Sequence, residues 1–285
     1  MVTENIYGVA VEHWNPFVPR FSGRVGARLP IGRRRNNFGD LLGPVIVRRL
    51  LEQGVGDQST LRALPQDDKR LVAVGSILHF AHDGDTVWGT GVNGKMPESK
   101  HTFNRLDIRA VRGPRTFDFL EARGLEPERV FGDPGLLVPR VFDHLPALSV
   151  KKAHALTIVP NLHDHPVWAS HPATIDPTGD LVGILERIAQ SERVVGSSLH
   201  GLVVAESLGI PATLIAPAAE SMFKYEDYYG GTGRDSFPVT HDLREALAQA
   251  PDPLAWDAQP LIDAFPLDLW SGPRRSSGST HPTTP

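Results

Sequence analysis

The stretch 197–211, reading SSLHGLVVAESLGIP, holds the residues best suited to chemistry. It sets Ser-Ser-Leu-His-Gly between a short apolar run that reads as a strand and a longer one that reads as a helix. Ser198 is a good helix N-cap. His200 then falls in the first helical turn, where unpaired backbone N–H groups and the positive end of the helix dipole favour a bound anion. Gly201 takes a side chain out of that approach. A histidine so placed can deliver a proton near neutral pH, its ordinary pKa being about 6.5. The same position also suits a purely structural strand-helix junction.

Other residues of chemical interest are spread along the chain. Asn37-Phe38-Gly39-Asp40 runs into Leu42, Val45, Ile46 and Leu50, a helical stripe that predicts a helix opening near Asp40, which would then serve as its cap or as an acid. Arg112 and Arg115 flank Gly113-Pro114 at another helix start, where a solvated pair is the alternative reading. Arg33-Arg34-Arg35 is a basic run that reads first as a solvated loop and second as a phosphate-binding surface. The pairs His79/His82 and His163/His165 have spacings open to metal, but no carboxylates stand at a recognisable spacing, and no metal is expected. The chain carries no Gly-x-x-x-x-Gly-Lys phosphate loop, no Gly-x-Ser-x-Gly elbow and no zinc ribbon.

These residues need a scaffold. Strand-like runs at 71–75, 86–91, 106–111 and 129–131 alternate with helical stretches after Asp40 and at 114–123. Pro139, Pro146 and Lys151-Lys152 then read as a linker. A second set follows: strands at 155–159, 193–195 and 212–215, helices at 180–190 and 200–208. The expected class is α/β with parallel sheets, and open sheets of this kind bind ligands beyond the carboxyl ends of their strands. Residues 1–140 are expected to form one domain and 153–270 another, with a central cleft between them and a Ser/Thr/Pro-rich tail at 271–285.

Composition excludes several roles. A net charge of -4 gives no global basic field to draw the chain to nucleic acid, so an anionic ligand needs local cations. With no cysteine there is no thiol nucleophile and no disulfide framework. The first residues lack the basic start and apolar run of a secretory signal, and no stretch approaches the roughly 20 apolar residues of a spanning helix. A cytoplasmic location is expected, with peripheral contact at the inner face of a membrane left open.

The Ser-x-Leu-His-Gly stretch followed by an apolar helix and Gly-Ile-Pro resembles the signature of the polysaccharide pyruvyl transferases. Asn37-Phe38-Gly39-Asp40, Gly89-Thr90-Gly91, Val111 to Thr116, Gly132-Asp133-Pro134 and Lys224 to Tyr229 resemble further family elements, in order. The resemblance implies a GT-B-like fold of two Rossmann-like domains. It also implies transfer of the pyruvyl group of phosphoenolpyruvate to two hydroxyls of a sugar, giving a cyclic ketal and phosphate without a cofactor. On that basis His200 and Asp40 are the catalytic candidates. Arg112, Arg115, Ser198, Leu199, Gly201 and Lys224 fall to the phosphoenolpyruvate site, arginine forks suiting carboxylate and phosphate. Asn37, Gly91, Asn161 and His163 fall to the saccharide acceptor, free or lipid-linked.

Two positions depart from the pattern. Many members have arginine where this chain has Ser198, and many have Pro-His where it has Pro160-Asn161. Two rivals are a glycosyltransferase using a nucleotide sugar, because residues 205–211 also resemble a ribose-holding element, and a non-catalytic saccharide-binding relative.

Overall fold

The computed structural model describes residues 1–19, 32–54 and 69–270; the expected tail lies outside them. The chain opens with a hairpin of β1 (Val2–Ile6) and β2 (Val9–His13), turned by Tyr7 and Gly8 at φ of 48° and 93°. Two consecutive positive φ values match the right-handed twist of such a ribbon, and Asn5 Oδ1 accepts the Gly8 N–H at 3.0 Å. A second antiparallel ribbon pairs β3 (Phe17–Pro19) with β4 (Gly32–Arg34). Helix α1 (Phe38–Glu52) follows, then β5 (Arg70–Val72), β6 (Thr86–Trp88) and β7 (Asp107–Ala110). The first sheet runs β1-β2-β5-β6-β7, parallel from β2 onward.

Helix α2 (Pro114–Glu121) starts with proline, as expected. Residues 129–131 make one isolated bridge, Val111 to Phe131, in place of a strand. The stretch read as a linker folds instead into two short helices, α3 (Val138–Val141) and α4 (His144–Ser149), with Val141, Phe142 and Leu145 buried. Pro139 and Pro146 read as breakers, yet both fall in first helical turns, where the missing N–H costs nothing.

The second sheet comprises β8 (Thr157–Ile158), β9 (Val194–Gly196), β10 (Ala212–Ile215) and β11 (Val239–Thr240), all parallel in the order β11-β10-β9-β8. Around it lie α5 (His165–Trp168), α6 (Leu181–Ala189), α7 (Leu199–Ser207), α8 (Phe223–Gly231) and α9 (Leu243–Ala248). The protein is thus mixed α/β with parallel sheets.

One apolar cluster joins the two halves, running from Val9, Val11 and Trp88 through α1 and α7 to Leu185 and Leu214. The chain's end crosses back to the first sheet. Helix α10 (Gln259–Asp263) offers the Leu261 carbonyl to Trp88 Nε1 at 2.9 Å, and Trp270 Nε1 donates to the Ile6 carbonyl at 2.8 Å. A polar clamp adds to the join. Asp227 on α8, fully buried, accepts from Arg112 Nε at 3.0 Å and from the backbone and hydroxyl of Thr116 at 2.9 and 2.7 Å. It therefore caps the start of α2 from the other half of the molecule. Glycine permits that approach: a Cβ at Gly113 would lie 1.8 Å from the Asp227 carbonyl oxygen.

Candidate active site

A cleft of about 410 Å³ opens where loops at the carboxyl ends of both sheets meet. The connections after β5 and β6 supply Ser76, His79, Phe80, Asn93 and Lys95; those after β8, β9 and β10 supply Asn161, His163, Ser198 and Glu220, and His200 comes from the first turn of α7. Asn37 and Asp40 enter from the start of α1, and Lys224 from α8. This is where open parallel sheets place ligands, because short connections there leave backbone ends and side chains free to converge.

His200 stands at the centre. Ser198 caps α7 as expected, its Oγ accepting the Gly201 N–H at 3.2 Å, so His200 lies in the first turn. Its Nε2 is 3.6 Å from Asp133 Oδ2, and both atoms are buried with no hydrogen-bond partner among the described residues. Asp133 is itself pinned, its Oδ1 accepting from the Gly135 N–H at 2.8 Å. On the other side the imidazole packs onto α1, where a Cβ at Gly39 would lie 2.3 Å from His200 Nδ1. The next residue, Asp40, accepts from Asn37 Nδ2 at 2.5 Å. Burial pushes its carboxyl above the ordinary range, against the Asn37 bond and the positive charges of His200 and Lys224.

Positive charge in the cleft comes from two lysines. Glu220 bridges them, accepting from Lys95 at 2.5 Å and Lys224 at 3.0 Å, with His163 Nε2 3.7 Å away. Burial alone would raise the Glu220 pKa, but the lysines carry it below its usual value. Burial lowers that of Lys224, opposed by Glu220. Asn161 is held by an internal network: its Nδ2 donates to Asp164 Oδ2 at 2.7 Å and its Oδ1 accepts the N–H groups of His163 and Asp164. His163 is exposed at the rim.

The cleft thus gathers Asn37, Asp40, Asn161, His163, Ser198, Leu199, His200 and Lys224 among the residues singled out from sequence. Four others stand elsewhere. Arg112 is fully buried, its guanidinium bonded to Asp227, to Ser76 Oγ at 2.7 Å and to the Val92 carbonyl at 2.9 Å, so no free fork remains to grip a donor. Arg115 is half exposed outside the cleft and pairs with Glu226 at 3.1 Å. Gly91 makes room for Arg112, since a Cβ there would lie 2.5 Å from the guanidinium carbon, and Gly201 makes room for Val159 in the same way. Both glycines permit close packing at these points. His79 lines the cleft while His82 is exposed beside Asp85. Among the described residues no three metal-ligating side chains cluster.

Sequence reasoning missed Lys95, Glu220 and the partnership of Asp133 with His200. Asp133 lies in a recognised tripeptide, but only the fold shows that its carboxylate reaches the histidine. Lys95 follows Gly94 at φ 76°, a turn signal in the sequence that carried no hint of function.

The family model described as polysaccharide pyruvyl transferase matches residues 37–218, more than half of the chain and all of the cleft residues named above except Glu220 and Lys224. The chain belongs to the polysaccharide pyruvyl transferase family. Two curated relatives extend the comparison. The succinoglycan biosynthesis protein ExoV of Rhizobium meliloti (strain 1021) is 29% identical over 173 residues, 55% of this chain and 52% of that protein. The uncharacterized protein L143 of Acanthamoeba polyphaga mimivirus is 28% identical over 180 residues, 58% of this chain and 61% of its own length. The matched part thus spans about half to three fifths of these relatives. Within the family match fall Asp40 and His200, which line the cleft, and Asp133, buried behind His200. Among the described residues no helix is long and apolar enough to cross a membrane.

Proposed function

We propose that this chain transfers the pyruvyl group of phosphoenolpyruvate to two hydroxyls of one sugar, forming a cyclic ketal and releasing phosphate. The observation that carries the reading is the convergence of His200, Asp40 and Lys224 on one cleft, within a chain of the pyruvyl transferase family. A GT-B-like arrangement of domains 1–140 and 153–270 facing that cleft is part of the same proposal. So is a cytoplasmic setting, at the membrane face where the acceptor is lipid-linked.

The donor is a small, strongly anionic molecule. Lys95, Lys224 and the free N–H groups of α7 supply the matching charge, taking the place first given to Arg112. No cofactor is required. His200 protonates the donor's methylene carbon, the C=C electron pair forming the new C–H bond and leaving positive character on the central carbon. Asp133 offsets the imidazolium charge from behind. The first sugar oxygen bonds to the central carbon and gives its proton back to the histidine, directly or through Asp40. The bond to the phosphate oxygen then breaks with its electron pair on phosphate. The second hydroxyl closes the ketal, and its proton goes to the departing phosphate.

The nucleotide-sugar alternative is weakened at Glu206, the acid of the ribose-like element. Its carboxylate is buried and taken up by Arg234 at 2.8 Å through both nitrogens and by Tyr228 Oη at 2.5 Å. Phosphate release should require phosphoenolpyruvate and a saccharide together, with no added metal, and phosphoenolpyruvate but not nucleotide sugars should raise the melting temperature. A thermal response to nucleotide sugars alone would overturn the proposal.

A further inference from the structure

The two walls of the cleft differ in chemistry. Glu220, Lys224 and His200 stand on the second sheet's side, and Lys95 reaches across to Glu220 from the loop after β6, whereas the rest of the first sheet's side presents Trp14, Ile77, Phe80 and Met96 with the neutral amide of Asn93 and the ring of His79. Trp14 and Phe80 are half-buried and rest on the apolar cluster beneath that sheet. His79 lies against Phe80, ring centroids 4.0 Å apart, with His101 behind it at 6.0 Å.

Two polar atoms here are orphaned. His79 Nδ1 and Asn93 Oδ1 are buried with no hydrogen-bond partner among the described residues, a condition that folded proteins avoid unless a ligand or water completes it. Burial, helped by His101, pushes the His79 pKa down to about 4, so the ring is neutral at physiological pH. A wall of aromatic faces and uncharged polar atoms is a poor match for a multiply charged anion. It suits a molecule with an apolar face and a rim of neutral hydroxyls.

We propose that this wall is the saccharide subsite: Trp14 and Phe80 take the C–H face of a pyranose ring, and His79 and Asn93 bond its hydroxyls. That moves the acceptor away from Asn161, whose amide is already engaged, and sets it opposite Lys224 and Glu220. The identity of the sugar as the pyruvyl acceptor rests on the function proposed above; the binding surface does not.

Saturation-transfer NMR on the full chain, with phosphoenolpyruvate present, would test it using the methyl glycosides of glucose, galactose and mannose. At least one should receive transfer from aromatic protons, and the signal should be lost in Trp14→Ala and kept in Trp14→Phe. His79→Phe preserves the ring packing and removes the nitrogens. It should raise the saccharide dissociation constant about 10-fold, the effect of one lost hydrogen bond, with the melting shift given by phosphoenolpyruvate unchanged. No transfer to any glycoside in the native protein overturns the subsite, as does undiminished transfer in Trp14→Ala and His79→Phe proteins whose circular dichroism is native. If saccharide binding behaves as expected but phosphoenolpyruvate neither binds nor yields phosphate, the pyruvyl reading fails and the subsite stands.

Discussion

His200 Nε2 faces Asp133 Oδ2 at 3.6 Å, in a buried setting where neither atom has another hydrogen-bond partner among the described residues. The separation is beyond a hydrogen bond but close enough for the carboxylate to fix the ring's orientation. Removing the titrating group tests the acid role. His200→Gln should lower kcat by about 10²–10⁴. Asp133→Asn should lower it less, because the amide oxygen can still cap Gly135 while the offsetting charge is gone. Donor KM should move little in either. Near-normal turnover in His200→Gln would make the histidine structural and leave Asp40 as the acid.

Arg112 tests a different property from the one its sequence position suggests. Its charge is paired with Asp227 in the join between the halves, both side chains fully buried. Arg112→Met would strand the Asp227 carboxylate and should destabilise by about 3–5 kcal/mol, read by urea denaturation. In the fraction that remains folded, donor KM should stay near the native value. A large rise in KM with unchanged stability would restore the donor-binding role.

The donor clamp is expected at the lysines. Lys224→Met removes a charge-assisted contact of about 1.5–3 kcal/mol and should raise the KM for phosphoenolpyruvate by roughly 10- to 100-fold. Lys95→Met should act in the same direction. Both effects should shrink as ionic strength rises in the native protein, since salt competes with the clamp. Unchanged donor KM in both variants would rule the pair out.

The contrast between Arg112 and Lys95 shows what sequence could and could not convey. Elements with strong local signals were legible: helix α1, though it starts at Phe38 after Asn37 and not at an Asp40 cap, the proline start of α2, the Ser198 cap of α7 and the strands β5, β6, β9 and β10. The grouping of His200, Asp40 and Lys224 came from the family resemblance, and the fold accounts for it, since residues at helix starts after parallel strands tend to meet at one sheet end. Burial was not legible. Arginine is seldom fully buried, so Arg112 read as a solvated residue or, from the family resemblance, as a ligand fork, and only the approach of α8 shows its pairing with Asp227. Lys95 and Glu220 lie 125 residues apart in loops without periodicity, and nothing local announces their pairing.

Asp40 should make activity and stability move in opposite directions. Its folded-state pKa is raised above the unfolded value, chiefly by burial. The folded state then holds the proton more tightly, so stability is greatest below the unfolded pKa and falls as pH rises through the folded one. Above the folded-state pKa the ionised carboxylate is a net cost. Asp40→Asn keeps an oxygen for Asn37, removes that cost and should raise Tm at pH 7 by about 2–4 °C, the shift produced by roughly 1 kcal/mol in larger domains. The gain should vanish in acid. Turnover should fall, since the carboxyl can no longer pass a proton beside His200. A lower Tm at pH 7 would show that the charge is stabilising and that its neighbours outweigh burial.

Gly39 offers a way to disturb His200 without touching either member of the histidine-aspartate pair. In an exposed helix, alanine for glycine gains about 1 kcal/mol from backbone entropy. Here the added Cβ would lie 2.3 Å from His200 Nδ1 and 2.8 Å from its Cβ, so the ring or the first turn of α1 must shift. Most of the propensity gain should be consumed by that shift, leaving Tm nearly unchanged. Catalysis is less forgiving, because displacing a proton donor by about 1 Å can cost 10²-fold in rate. Gly39→Ala should therefore lose turnover with little change in stability or in the melting shift given by phosphoenolpyruvate. The comparison needs the histidine's resonance as a control: its chemical shift should move in Gly39→Ala and hold still in Gly43→Ala on the same helix, where the nearest atom to an added Cβ is 3.5 Å away. Full activity in Gly39→Ala would mean that the imidazole's position against α1 has no part in the chemistry.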